Sequence, residues 1–325
     1  MPYYPERKPE ESGQEKKKPN LTGKQKKGLR LFLVVFFSAL TLYATVRLIV
    51  YGSELSASRK TSEELQQVYQ QAKAEETYTP APVLSTPLPV SPPTAFTEAP
   101  QVLETAVPVS NSDLLQSMEY PNNKELRMSD RFKALRKKSP YAVGWISMDG
   151  VEEAVAQKDN TYFLTHDASG RKNSNGAIFL DADIFLTMRP YTLILYGHNM
   201  KSGNMFGKLR KYKESTYFYK HRIITFDSLY EDGQYAVFSV LELNTVPGTA
   251  HWYDLWSLNS NSYAEREEAI RELERRSAVS STLDVQADEQ LLLLVTCLDG
   301  ENERLVVAAR RLREGETADT LTIRH

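Results

Sequence analysis

The chain opens polar and basic, and then its charge disappears. From residue 31 to 46 it reads LFLVVFFSALTLYATV, followed by Arg47 and a second short apolar run. Taken from Leu29 to Tyr51, the stretch is long enough at about 1.5 Å per residue to cross a hydrocarbon core of roughly 30 Å. Arg47, near its far end, can extend its side chain to the lipid interface. The pattern predicts a membrane anchor over 29–51. A cleaved secretory signal, with SAS at 56–58 as its cleavage site, is the rival, but such apolar regions usually run about 7–15 residues. Lys16, Lys17, Lys18, Lys24, Lys26, Lys27 and Arg30 make residues 1–30 a basic tail. The positive-inside rule keeps that tail in the cytoplasm and places the rest of the chain outside.

Beyond the anchor the pattern changes twice. Residues 52–78 are polar and free of proline, and SEELQQVYQQAKAEE (62–76) predicts a helical stalk capped by Thr61 or Ser62. Pro80, Pro82, Pro87, Pro89, Pro92, Pro93, Pro100 and Pro108 then fall within 79–110, half of the chain's 16 prolines, with no glycine among them. Such a segment cannot bury enough apolar surface to offset its ordering entropy, so it reads as a semi-stiff linker.

A folded region is expected over 111–325. DLLQSMEY (113–120) and KELRMSDRFKALRKK (124–138) have helical spacing, with Leu126, Phe132 and Leu135 on one face. From residue 142 the runs are short and apolar or alternating: AVGWISM, NTYFLTH, GAIFLD, TLILYGH, RIITFDSL, QYAVFSVLEL, QLLLLVTC and RLVVAAR. Gly, Asn, Asp and Pro separate them, as they separate strands. One helical stretch, SYAEREEAIRELERRSA (262–278), interrupts the series. Eight short strands with few helices predict a mostly β fold, a closed mixed barrel that leaves no exposed sheet edge.

Composition narrows the functions. A net charge of −2 gives no global attraction to nucleic acid. One cysteine, Cys297, excludes an internal disulfide and a multi-cysteine zinc site. A lone cysteine is ordinarily a small buried hydrophobe. Cys297, however, ends an apolar run, His198 ends another behind a glycine, and Arg304 opens a third. Three such positions can meet at one barrel rim. A thiol is nucleophilic as its thiolate, which a neighbouring imidazolium favours. An arginine fork supplies fixed donors for a carbonyl or an oxyanion. No metal is needed for this chemistry, and no acidic cluster has calcium-ligand spacing.

These residues sit in stretches that resemble a known family. TLILYGHNMKSGNMFGKLRKY (192–212), DNTYFLTHDASGRKNSNGAIFLD (159–181) and LLVTCLDGENERLVVAARR (293–311) together resemble the sortases, specifically class B. The resemblance spans about 111–309. It implies a sortase-type eight-stranded barrel with N-terminal helices and a helix in the loop before the strand preceding the cysteine strand. It also implies a cysteine transpeptidase without cofactor, which cleaves a Pro-x-Thr-type sorting signal and passes the acyl group from a thioester to a cell-wall amine. Carried over residue by residue, Cys297 is the nucleophile, His198 its acid/base partner and Arg304 the substrate and oxyanion holder. Asn160, Thr296 and Leu298 become substrate-binding residues. The implied partners are surface proteins with C-terminal sorting signals, a peptidoglycan-precursor amine and, through the anchor, the membrane. A pilin-polymerising enzyme, a plain cysteine protease and an inactive binding module on the same fold are the alternatives.

Two stretches depart from the family pattern. EAVAQ (153–157) stands where members commonly read YPVVQ, and the interval LDGENE between Cys297 and Arg304 is short. His166, His221 and His251 have no partner pattern and read as structural. The basic stretch 208–213 reads as a solvated face, and Trp145, Trp252 and Trp256 as packing residues.

Overall fold

The structure, a computed structural model, describes residues 23–78, 114–298, 302–317 and 320–321. The expected linker and most of the expected basic tail lie outside these residues. The chain divides into two compact units, residues 1–53 and 54–325. In the first, the described residues form the start of helix α1 (Gly23–Tyr78). Its large apolar side chains, from Leu29 through Phe36 and Phe37 to Tyr51, are exposed, and the stretch is long and apolar enough to cross a membrane.

The second unit is built on a closed barrel in the order β1-β2-β3-β4-β7-β8-β6-β5. The strands are β1 (Ala142–Met148), β2 (Val151–Ala156), β3 (Ile178–Leu180), β4 (Thr192–Tyr196), β5 (Ile223–Ser228), β6 (Gln234–Asn244), β7 (Leu291–Cys297) and β8 (Glu303–Arg311). The β2/β3 and β4/β7 pairs are parallel and the others antiparallel. Asp149-Gly150 closes the β1/β2 hairpin, with Met148 opposite Val151. Gly150 has φ +66, the left-handed conformation that makes Asp-Gly a strong two-residue hairpin signal. The unbroken LLLLV of β7 is buried along its length, as a parallel strand covered on both faces must be.

The closed eight-stranded barrel with added helices matches the expectation, though not run for run. NTYFLTH forms a 3-10 turn (Tyr162–Leu164), and VEEAVA supplies the strand instead. Asp159 Oδ1 accepts the N–H groups of Thr161 and Tyr162 at 2.9 and 2.8 Å. That Asx-type turn diverts the backbone from a ladder. DLLQSMEY is not helical. Leu114 and Met118 make isolated bridges to Ser262 and Arg189. The following helix, α2 (Asp130–Lys138), starts six residues later than the pattern suggests. There the Asn123 side chain bonds both the N–H and the C=O of Arg127 at 2.8 Å, competing with helical pairing.

A short α3 (Ser215–Lys220) precedes β5. The inserted helix α4 (Tyr263–Arg275) lies between β6 and β7, so it leads directly into the cysteine strand with no strand between. Ser262 caps it by accepting the Glu265 N–H at 3.3 Å. Arg266 on α4 is fully buried and donates to the carbonyls of Ala287, Leu258, Tyr191 and Glu289. One guanidinium thereby fastens the entrances of both β4 and β7. Burial pulls its pKa down to about 10.

The segment read as a stalk is a docked helix. From Glu54 onward α1 belongs to the barrel unit. Ser58, Thr61, Leu65 and Tyr69, spaced three or four apart, are buried. Tyr69 stacks on Trp145 at 4.4 Å between ring centroids, and its hydroxyl donates to Asp227 at 2.5 Å. Lys73 reaches the same carboxylate oxygen at 2.8 Å.

Glu153 on β2 lies near Ser62 of this helix. Desolvation there lifts its carboxyl from the usual 4.5 to about 7; the Ser62 hydroxyl opposes the rise and Glu152 adds to it. The folded chain therefore holds a proton that the unfolded chain releases between about pH 4.5 and 7, and stability falls as pH rises through that window. The expected loss is about 1–3 kcal/mol, the lower part of the range reflecting the residue's partial exposure. Glu153→Gln should flatten this slope and leave the variant more stable than the parent at pH 8. Denaturant midpoints at pH 5 and 8 check it: an unchanged slope in the variant would mean that Glu153 titrates normally.

Candidate active site

β4 and β7 run side by side in parallel, paired from Thr192 opposite Leu291 to Tyr196 opposite Val295. Both strands end at the same mouth of the barrel, β4 leading to His198 and β7 ending in Cys297. Across the antiparallel β7/β8 pair, Cys297 stands directly opposite Arg304. Directly opposed residues point to the same face. The thiol is exposed. Cys297 and His198 line one cleft of about 440 Å³, together with Asn199, Lys201, Arg210 and Leu298.

The His198 ring is held from two sides. Its Nε2 lies 2.8 Å from the carbonyl oxygen of Leu164, in the 3-10 turn. A carbonyl only accepts, so Nε2 carries the proton of this bond and Nδ1 is the nitrogen left to exchange one. Against the ring lies Gly176, at φ +64. A Cβ there would sit 2.8 Å from His198 Cδ2 and 2.4 Å from the Phe163 carbonyl oxygen. Glycine at 176 is thus required by close approach as well as by backbone conformation.

Arg304 is partly buried and donates from Nη1 to its neighbour's carbonyl, Glu303 O, at 2.9 Å. Its charge is felt at Tyr196, the last residue of β4. Burial and Asp181, which accepts from its hydroxyl at 2.9 Å, push the Tyr196 phenol far up, and the guanidinium pulls the other way. Arg304 is not among the residues lining the cleft of Cys297 and His198; it stands opposite the cysteine on the next strand.

The other three expected residues separate. Leu298 lines the cleft, and on its far side a second hollow of about 310 Å³ opens between Glu242, His251, Arg276 and Glu303. Thr296 does not present its side chain to a peptide. It is 2 % exposed, and its hydroxyl donates to the Gly197 carbonyl at 2.7 Å. Strand alternation explains this, since neighbours on a strand face opposite ways. Asn160 is exposed and accepts the Ala182 N–H at 2.8 Å, fastening the loop after β3; it is not among the residues lining the cysteine's cleft. Leu164, Gly176 and Asn199 were not singled out from the sequence. Asn199 directly follows His198, and its Nδ2 donates to the Cys297 carbonyl at 2.9 Å.

Two further histidines, His166 and His221, have structural settings. His166 stacks on Tyr162 at 4.0 Å. His221 packs against Tyr217 and lies 3.9 Å from Asp149. In the basic stretch, Lys208 and Lys213 pair with Asp149 and Glu242. Trp252 and Trp256 are each 40 % exposed.

A parallel strand pair that delivers histidine and cysteine to one barrel mouth, with arginine across the next ladder, is the arrangement of a sortase. Residues 154–312 match the sortase domain family, whose members are cysteine transpeptidases. Within them its similarity is to class B. It is 29 % identical to sortase B of Staphylococcus aureus over 189 residues, covering 56 % of this chain and 75 % of the relative. It is 27 % identical to sortase B of Listeria monocytogenes over 196 residues, covering 58 % and 76 %. The fold matches a structure of the Staphylococcus aureus sortase B–substrate complex with a TM-score of 0.58 at 22 % identity, covering 81 % of this chain and all of that one.

Proposed function

We propose that this chain is a membrane-anchored class B sortase that cleaves a Pro-x-Thr-type sorting signal and transfers the acyl group to an amine of the cell wall. In this reading the Cys297 thiolate attacks the carbonyl carbon after the signal's threonine. The tetrahedral oxyanion forms within reach of the Arg304 guanidinium, which stands on the strand directly opposite Cys297 and offers a fork of donors. As the peptide C–N bond breaks, the leaving nitrogen takes a proton from His198, and a thioester remains on Cys297. An incoming amine gives its proton back to the imidazole, attacks the thioester and releases the thiolate, so the histidine ends as it began. Leu298 borders the acyl site, and Asn160 lies on the neighbouring loop as a more distant substrate contact.

The helix start over 29–51 serves as the anchor, with residues 1–30 in the cytoplasm and the catalytic domain outside. Its partners are surface proteins carrying the signal and a peptidoglycan-precursor amine. The observation that carries the chemistry is the register of Cys297 against Arg304, with His198 on the adjoining parallel strand end in the same cleft.

Product analysis tests the transfer step. A Pro-x-Thr peptide incubated with the full chain should give an acid product alone, and a ligated product once triglycine is added in millimolar amounts. An acid product unchanged by the amine would make the chain a thiol protease.

A further inference from the structure

The β4/β7 ladder ends two residues short of the two groups that must meet. The last paired residues are Tyr196 and Val295, and Gly197 N–H still reaches Val295 O at 3.2 Å. Beyond that point backbone pairing between these strands gives way to two side chains. Thr296 Oγ1 donates across to Gly197 O at 2.7 Å, and Asn199 Nδ2 donates back to Cys297 O at 2.9 Å. One bond runs from the cysteine strand to the residue before His198. The other runs from the residue after His198 to Cys297 itself.

We propose that Thr296 and Asn199 are paired positioning residues, a reciprocal clamp that fixes the Cys297 and His198 backbones relative to one another where the sheet no longer does. The Thr296 bond is buried, where an unmatched carbonyl is costly, so this half is rigid. Asn199 is only partly buried and lines the cleft, so its half is the weaker. Neither side chain needs to touch the reacting atoms. Their effect comes through alignment of the thiol with the imidazole, and a misplacement of about 1 Å in a catalytic pair costs on the order of 10²-fold in rate.

This reading rests on the assignment of Cys297 and His198 as the reacting pair, but its test does not require turnover. The rate at which iodoacetamide alkylates Cys297 reports the coupling directly. In the parent chain His198→Ala should slow alkylation several-fold, because the imidazole no longer supports the thiolate. In Thr296→Val and in Asn199→Asp backgrounds the same His198→Ala change should alter the rate less than about twofold. With a sorting-signal peptide, each clamp variant should lose roughly 10- to 100-fold in kcat with KM within about threefold. Thr296→Ser, which keeps the hydroxyl, should restore activity to within about threefold.

A full His198 dependence of alkylation in both clamp variants would overturn the proposal, as would a loss confined to KM. If the parent cleaves no peptide but the alkylation coupling vanishes in the variants, the clamp stands and the transpeptidase assignment falls. Denaturant midpoints accompany each variant, and an activity loss that merely tracks the unfolded fraction also counts against it.

Discussion

Cys297→Ala should leave a folded chain with no measurable cleavage of a sorting-signal peptide, a loss of about 10⁵–10⁶-fold in turnover. The size follows from chemistry: without sulfur there is no thioester, and His198 and Arg304 have no covalent intermediate to serve. The fold should not notice. Cys297 is exposed at a strand end, and replacement of an exposed side chain usually changes stability by less than about 0.5 kcal/mol. A peptide-cleavage assay alongside a thermal melt decides it. A folded variant that keeps more than a trace of turnover would end the assignment of Cys297 as nucleophile.

Arg304→Lys should lower kcat about 10²–10³-fold, the usual consequence of losing an oxyanion donor. Lysine keeps the positive charge but not the planar fork, so a purely electrostatic role would leave most of the rate intact. The competing role for Arg304 is a surface ion pair with a neighbouring carboxylate, worth about 0–1 kcal/mol. The structure shows a bond from Arg304 to the Glu303 main chain, and its positive charge opposes the rise that burial and Asp181 impose on the Tyr196 phenol. Near-normal turnover in the lysine variant would reduce Arg304 to the opening residue of a strand.

How much of this could be read from the sequence depended on how local the cause was. β4, β7 and β8 were legible because their apolar runs are dense and end abruptly, and so was the placement of His198, Cys297 and Arg304 at or just past such ends. Thr296, expected at the substrate from its place beside the cysteine, has a buried side chain, as alternation along a strand already implies. The turn after Asp159 and the late start of α2 come from Asp and Asn side chains that capture backbone groups, a signal present in the sequence but outvoted by apolar spacing. The stretch 52–78 reads as a helical stalk because its average character is polar. A narrow stripe, Ser58, Thr61, Leu65 and Tyr69, is buried, and Tyr69 stacks on Trp145 of β1. The hold on His198 by the Leu164 carbonyl had no side-chain signature at all, since the acceptor is main chain.

The parallel pairing of β4 with β7 has a consequence for how activity arises during folding. The two bonds flanking His198 and Cys297 join residues 99 and 98 positions apart. Closing so long a loop costs entropy before any contact repays it, and such pairings form slowly. The antiparallel β7/β8 pair, by contrast, forms across a short interval and can bring Cys297 opposite Arg304 early. A newly synthesised chain should therefore pass through a stage in which thiol and guanidinium already face each other but the imidazole is absent. With the proposed roles, such a chain carries its nucleophile without the means to use it, and competence for acyl transfer arrives only with the final closure of the barrel.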